Sequence, residues 1–377
     1  MKRRGAAGGC LLVNDLLPYS ATPGTDVFKT IDFLRGPNNA GNLVFLDAIN
    51  ELIPGLANLT SGDLVRRAGG LPAGTTVLLP LANFMSATWE APEGFLDALE
   101  KFKPVLLSVG VQADAGAQAS DVVLSADCLR LLEQVRHAGT VAGARGAFSQ
   151  QVLQRHGIEA IVIGCPSLYV GIPANIKPPV PRRLAVCTNN SFTGELRDLA
   201  ARVNSFSVAH ASGFVCQNEE GVILDVMGIP EPVADFMAAQ SDNPQYAGLL
   251  RNRVFSYGYY NDGRYEWGQM HEWFAAHARF FLALDEWRAF AGSFDLSVGP
   301  RFHGNVVALQ AGVPAVFVPP DVRVQEMVDF AGLPQVAPTV FQQMESPGDL
   351  LAYCSMDRFY DGACACSDEL QRFLHTF

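Results

Sequence analysis

The stretch GTVAGARGAFSQQVLQRHGIEAIVIGCP, residues 139–166, decides the fold. Its ends, 139–144 and 160–166, are short apolar runs that read as buried strands, and residues 145–158 between them read as an amphipathic helix. Gly157 closes that helix, because glycine enters the left-handed turn after a helix without steric cost. Strand, helix and strand joined by short turns build a parallel pair, so a parallel sheet is expected. Outward from this unit, residues 75–81 and 104–110 read as further buried strands, and 44–49 (VFLDAI) as a less marked one. Past it, GIPANIKPPVPRR (171–183) is a linker, since proline lacks the N–H that a central strand needs. Beyond the linker, 183–190, 206–212 and 312–318 look like strands of a second sheet, and the aromatic segment 265–295 looks largely helical.

Bulk properties agree with an α/β protein of two Rossmann-like domains facing a central cleft. At 377 residues the chain is too long for one compact core. The expected partition is 1–175, 182–340 carrying the second sheet, and a tail, 341–377, that packs back on the first domain. Lys plus Arg number 27 against 38 Asp plus Glu, a net −11. That balance repels nucleic acid and anionic membranes, so an anionic substrate must be met by a few locally placed arginines. The eight cysteines lie in apolar contexts without paired C-x-x-C modules, which makes the cytoplasm the expected compartment. Cys354, Cys364 and Cys366 lack a fourth ligand at zinc spacing, so no metal is expected. The opening MKRRGAAGGCLLVND imitates a secretory signal, but its apolar part is short and glycine-rich. No apolar run approaches the ~18 residues of a membrane span. HEWFA (271–275) starts like a zinc-protease helix, yet Ala275 stands where the second histidine belongs.

Ligands of open α/β sheets bind beyond the carboxyl ends of strands. One such end stands out: SVGPRFHGNVVALQAGVPAVFVPP, residues 297–320. A strand ending at Gly299 and a helix ending at Gly312 put His303 and Gly304 at a helix start, where free N–H groups favour anions. Gly304 would let a ligand approach the backbone closely. A cation at a helix N-terminus is unfavourable by about 0.3–1 kcal/mol. Arg301 and His303 make sense there if a polyanion offsets that cost. On the residues alone a plainer alternative stays open, with Arg301 capping carbonyls and His303 satisfied in the core.

The R-x-H-G at 301–304, followed by VVALQAGVPAVFVPPD, resembles the signature of the polysaccharide pyruvyl transferase family. Other parts of that pattern recur in order: GPNNAGNLVFLDAINEL (36–52), LLSVGVQ (106–112) and 143–170 with its arginine–serine helix and cysteine–proline strand end. The resemblance spans roughly residues 36–335. It implies a GT-B-like fold and a reaction of phosphoenolpyruvate with a sugar bearing two suitably spaced hydroxyls. The products would be a cyclic pyruvate ketal and inorganic phosphate, in the making of cell-envelope glycan such as exopolysaccharide. No cofactor is implied beyond phosphoenolpyruvate as donor substrate; the acceptor would be a sugar, met transiently if lipid-linked, and the sequence carries no signal for an oligomeric state.

The resemblance carries His303 over as the catalytic histidine and Arg145 as the arginine on the substrate anion; Arg301 is assigned to the donor by its place beside His303. Phosphoenolpyruvate bears a carboxylate and a phosphate, which guanidinium forks grip bidentately. Protonation at its C3 needs a general acid with pKa near neutrality, which histidine provides when a bound phosphate raises its pKa. Asn38, Asn39, Gly41 and Asn42 could present amides and backbone N–H groups to phosphate or sugar, or form a plain turn with a helix cap. Gln112 could bond a hydroxyl or cap its loop, and Asp26 and Asp114 are the candidate bases. Arg145 could instead be an exposed charge opening its helix. A GT-B glycosyltransferase with a nucleotide-sugar donor is the alternative, with Asp321 or Glu326 on the ribose.

Overall fold

The apolar run that imitates a secretory signal is an inner strand. In the computed structural model, which describes residues 9–16, 30, 33, 39–82, 84–114, 116–176, 179, 183–187, 194–228 and 261–377, Leu11–Val13 forms β1. It pairs in parallel with β2 (Ala57–Leu59) on one side and β3 (Thr76–Leu79) on the other. Helix α1 (Gly41–Leu52) connects β1 to β2. Strand β4 (Lys103–Leu106) continues from β3, and β5 (Ala142–Ala144) pairs with β6 (Ala160–Val162). A parallel bridge between Val109 and Ala144 joins these parts into the order β2-β1-β3-β4-β5-β6. Helix α2 (Ala126–Ala138) precedes β5, and α3 (Ala147–Arg155) crosses from β5 to β6. Sheets of this kind are covered on both faces, which is why their strands read as continuous apolar runs rather than alternating ones.

The second sheet has the order β11-β10-β7-β8-β9, all parallel. Its strands are β7 (Leu184–Cys187), β8 (Ala211–Cys216), β9 (Ala278–Phe280), β10 (Leu296–Gly299) and β11 (Ala315–Phe317). The chain moves outward from β7 to β9, then returns to the other side of β7 with β10. The order therefore reverses at the β7–β10 crevice, where ligands of such sheets bind. Its helices include α4 (Gly194–His210), α5 (Trp267–His277), α6 (Leu284–Ala291), α7 (Phe302–Gln310) and α8 (Val322–Ala331). Two Rossmann-like sheets thus turn their strand ends toward one cleft, a GT-B-like arrangement. Cross-lobe bonds hold it: Arg288 to Asp47 at 2.8 Å, and the Gln310 amide to the Ser167 carbonyl at 3.0 Å. Helix α9 (Asp357–Leu374) lies against the first sheet, where the Tyr169 hydroxyl donates to the carbonyls of Ile163 (2.7 Å) and Cys366 (3.2 Å).

Three segments differ from their sequence reading. Residues 44–49 are helical, inside α1, where Leu43 to Leu46, Ala48 and Ile49 are all buried. A helix buried nearly all round loses its period and looks like a buried strand. Residues 206–210 finish α4, and the strand begins only at Ala211. Phe206 packs on Phe341 at 5.3 Å between centroids, so its apolar character serves helix packing. Within 265–295 the chain makes the three-residue β9, with Ala278 and Phe280 buried and Arg279 exposed, too short for a period to show.

Candidate functional site

Strand β10 delivers Arg301 to the N-cap of α7 and His303 to its first turn, and no side chain caps this helix start. The imidazole is buried. It stacks on Phe45 of α1 at 5.6 Å and meets Phe302 edge-on at 5.4 Å. Its Nε2 lies 3.5 Å from the Cys165 thiol, which in turn is 3.1 Å from the Ser167 hydroxyl. Gly41 allows this approach: a Cβ there would come to 3.1 Å of the His303 Cβ and collide with the Gln217 amide oxygen.

Arg145 leaves the end of β5, its backbone N–H donating to Val109 at 2.8 Å. It stands one residue ahead of the Gly146 N-cap, not within the first turn of α3. The side chain is 1 % exposed. Nε donates to the Ser108 carbonyl (3.1 Å) and hydroxyl (3.3 Å), and the guanidinium lies 5.4 Å from the Phe45 ring centre. Nη2 is buried with no hydrogen-bond partner. Gly110 makes room, since a Cβ there would meet the Ala82 carbonyl at 2.6 Å, Arg145 at 3.0 Å and Arg323 at 3.1 Å.

Arg323 and Arg301 complete a cationic wall. Arg323 pairs with Asp321 at 3.2 Å, and its Nε is buried without a partner. Arg301 bonds Asn218 and pairs with Glu219 at 3.3 Å, while the other Glu219 oxygen accepts the backbone N–H groups of Gln217 and Asn218. Arg145, Arg301, Arg323, His303, Asn39 and Asn42 line one cavity of about 40 Å³. Burial pulls the Arg145 pKa down to about 10, and Arg323 pushes the same way. Burial, then Arg145, Arg323 and Arg301, hold His303 well below its ordinary value. Its imidazole is therefore neutral at pH 7.

The fold thus brings Arg145, Arg301, His303, Asn39 and Asn42 to one place, with Gly41 behind His303. Asn39 accepts the Gly41 N–H at 3.0 Å, a turn that opens α1. Gly304 is buried in the first turn of α7 and does not line the cavity. Gln112 is exposed, with its backbone N–H on Met85, and neither it nor the exposed Asp114 lines the cavity. Asn38 and Asp26 lie outside the described residues. Arg323 and Gln217 were not singled out from sequence, and Cys165 entered only as the cysteine of the cysteine–proline strand end. Arg323 carried a usable signal, a cation in the first turn of a helix that follows a strand, as at His303.

Glu326 does not line the cationic cavity, where a ribose ligand would be wanted. Its carboxylate accepts the Ser149 N–H (2.9 Å) and hydroxyl (2.5 Å), so it caps α3 from the opposite lobe. Burial pushes its pKa up to about 7 against the lowering effect of those bonds. Among the described residues no group of three or more His, Cys, Asp or Glu could hold a metal ion, and no helix is long and apolar enough to cross a membrane.

No protein-family model and no curated protein matches the chain. Among solved structures it is similar to an uncharacterized protein from Klebsiella pneumoniae subsp. pneumoniae NTUH-K2044, with 10% identity over 86% of this chain and 88% of that one, TM-score 0.42. A putative UDP-N-acetylglucosamine 2-epimerase from Listeria monocytogenes shares 10% identity over 95% and 91%, TM-score 0.40. The α,α-trehalose 6-phosphate synthase of Burkholderia multivorans shares 12% over 94% and 80%, TM-score 0.39.

Proposed function

We propose that this chain is an enzyme that transfers pyruvate from phosphoenolpyruvate to a sugar, forming a cyclic ketal and releasing phosphate. One observation carries the reading: the Arg145 guanidinium is wholly buried, its Nη2 has no partner, and Arg301, Arg323 and His303 share its cavity. An uncompensated buried charge costs several kcal/mol, so such a cluster is built for a small polyanion. The ordered motifs at 36–52, 106–112, 143–170 and 301–304 name phosphoenolpyruvate as that anion by resemblance. The buried Glu326 cap weighs against the nucleotide-sugar alternative, because that carboxylate is committed to Ser149.

In this reading Arg145 and Arg323 take the donor's phosphate and carboxylate, and Arg301, fixed by Glu219, borders them. The added negative charge raises the His303 pKa, and the imidazolium passes its proton to C3 of the enol. A sugar hydroxyl attacks C2, the C2–O bond to phosphate breaks, and a second hydroxyl closes the ketal. Two hydroxyl protons are released: one balances the proton placed on C3, the other leaves on hydrogen phosphate. General-acid catalysis of this kind contributes about 10²–10⁴-fold.

The test incubates purified protein with phosphoenolpyruvate and a panel of glycosides, following phosphate release and the mass gain of one ketal. Phosphoenolpyruvate should also raise the melting temperature, as any ligand of the native state does. Stabilisation by nucleoside diphosphates but not by phosphoenolpyruvate would replace this reading with the glycosyltransferase one.

A further inference from the structure

Helix α8 has a second face. Val324, Met327 and Arg323 turn to the cationic cavity, whereas Val322, Gln325, Asp329 and Phe330 border a groove of about 660 Å³. That volume lies within the range of small-molecule sites, roughly 300–1,000 Å³. Residues 322, 325, 329 and 330 repeat at helical spacing, so one face of α8 makes one wall. Phe148 of α3, Val162 of β6 and Gly116 from the loop after β4 make the opposite wall, on the other lobe. The groove therefore opens at the strand ends of both sheets.

Its chemistry is the reverse of its neighbour's. Among the described residues no lysine or arginine lines it, while Asp321, Glu326 and Asp329 do. An anionic ligand is repelled there. A buried cation is not called for either, because Asp321 is already paired with Arg323, Glu326 is spent on Ser149, and Asp329 is exposed and accepts from the Gln335 amide at 2.8 Å. What remains is two half-buried aromatic rings, Phe148 and Phe330, with the Gln325 amide oxygen and the second Asp329 oxygen as acceptors. The Gln325 amide nitrogen donates to Gln335, and Gln335 donates to the first Asp329 oxygen, at 2.8 Å each. Aromatic faces against C–H surface and carboxylates against hydroxyls suit a neutral sugar. We propose that this groove is the acceptor site and takes a neutral glycoside, an inference that rests on the transfer reaction proposed above. The two cavities share the Asp321–Arg323 pair, 3.2 Å long, as their common wall. A hydroxyl reaching over Asp321 from the groove would face a donor held on Arg323.

The experiment is saturation-transfer NMR and titration of the full chain with neutral methyl glycosides, with and without inorganic phosphate. The 6-phosphates of the same sugars and glucosamine are the charged arms. Neutral glycosides should bind and their charged counterparts bind at least about tenfold more weakly. Phe148→Ala and Asp329→Ala should each weaken glycoside binding by about tenfold, the effect of one lost ring or carboxylate contact. Phosphoenolpyruvate should stabilise both variants as it does the wild type, which also shows that they fold. Wild-type affinity in both variants, no glycoside binding, or a preference for the phosphorylated or amino sugars would each overturn the groove assignment. Glycoside binding that depends on Phe148 in a protein that phosphoenolpyruvate never stabilises would instead sink the donor reading and leave the groove standing.

Discussion

Two helix starts face the cleft, and they are treated in opposite ways. The start of α3 has no cap from its own segment, and Glu326 reaches across from the other lobe to accept its Ser149 N–H. The start of α7 also has no side-chain cap, but there the chain gathers arginines and a histidine. Both ends carry free N–H groups and a positive dipole that draw negative charge. At α3 the protein supplies a carboxyl acceptor of its own and ties the lobes together. At α7 it adds cations to an already positive end, which is destabilising for a folded protein alone and favourable for one that binds a polyanion. On the function proposed above, the first helix start ties the lobes together and the second recognises the ligand.

The largest effect is expected where that contrast is sharpest. Arg145→Met removes the buried guanidinium and keeps much of its volume. Donor affinity should fall by about 2–5 kcal/mol, the range for truncating a buried charged partner. The unliganded protein should melt at the same temperature or higher, since replacing an uncompensated buried charge with an apolar chain is neutral or stabilising. Calorimetric titration and thermal melts check the two signs together. A variant that unfolds early but binds normally would make Arg145 a structural residue.

The next effect separates catalysis from binding at the same helix start. His303→Gln should lower turnover by about 10²-fold or more, the lower bound for a lost general acid. Donor affinity should change by only a few-fold, because the arginines remain. Phosphate-release kinetics at saturating donor give the first number and thermal shift the second. Full activity in this variant would remove His303 from the proton-transfer role.

Much of this contrast was readable from residues, and the unread part has a physical pattern. The strand–helix–strand unit at 139–166 showed because its strands are short apolar runs and Gly157 ends its helix with φ 74°. Arg301 and His303 showed because they follow an apolar strand and precede an apolar helix. The crevice they occupy depends on strand order, and periodicity along one strand says nothing about which strand lies beside it. Cys165 approaches His303 from the opposite lobe, 138 positions away along the chain, and Arg323 from the next helix of the same lobe, contacts that periodicity along one segment does not show. Segment 44–49 misled because burial on nearly every side, with only Asp47 exposed, erases the helical period, and β1 hid behind a basic, glycine-rich start.

The smallest expected effect lies at the other helix start and reads its electrostatics directly. Glu326 is buried between the lobes, and burial holds its pKa up at about 7, above the ordinary carboxylate value of 4.5. A folded-state pKa above the unfolded one means that the native state holds this proton more tightly. The resulting stability is complete below about pH 4.5 and is lost as pH rises through about 7, where the carboxyl must ionise away from water. Glu326→Gln keeps an oxygen for the Ser149 N–H but cannot ionise. Wild type and variant should therefore match at about pH 4, and the variant should become the more stable one above neutrality by roughly 1–3 kcal/mol. Denaturant midpoints taken from about pH 4 to about pH 8.5 give the two profiles. Superimposed curves would mean that the carboxyl titrates normally, and the cap on α3 would then be a solvated contact, not a buried lock between the lobes.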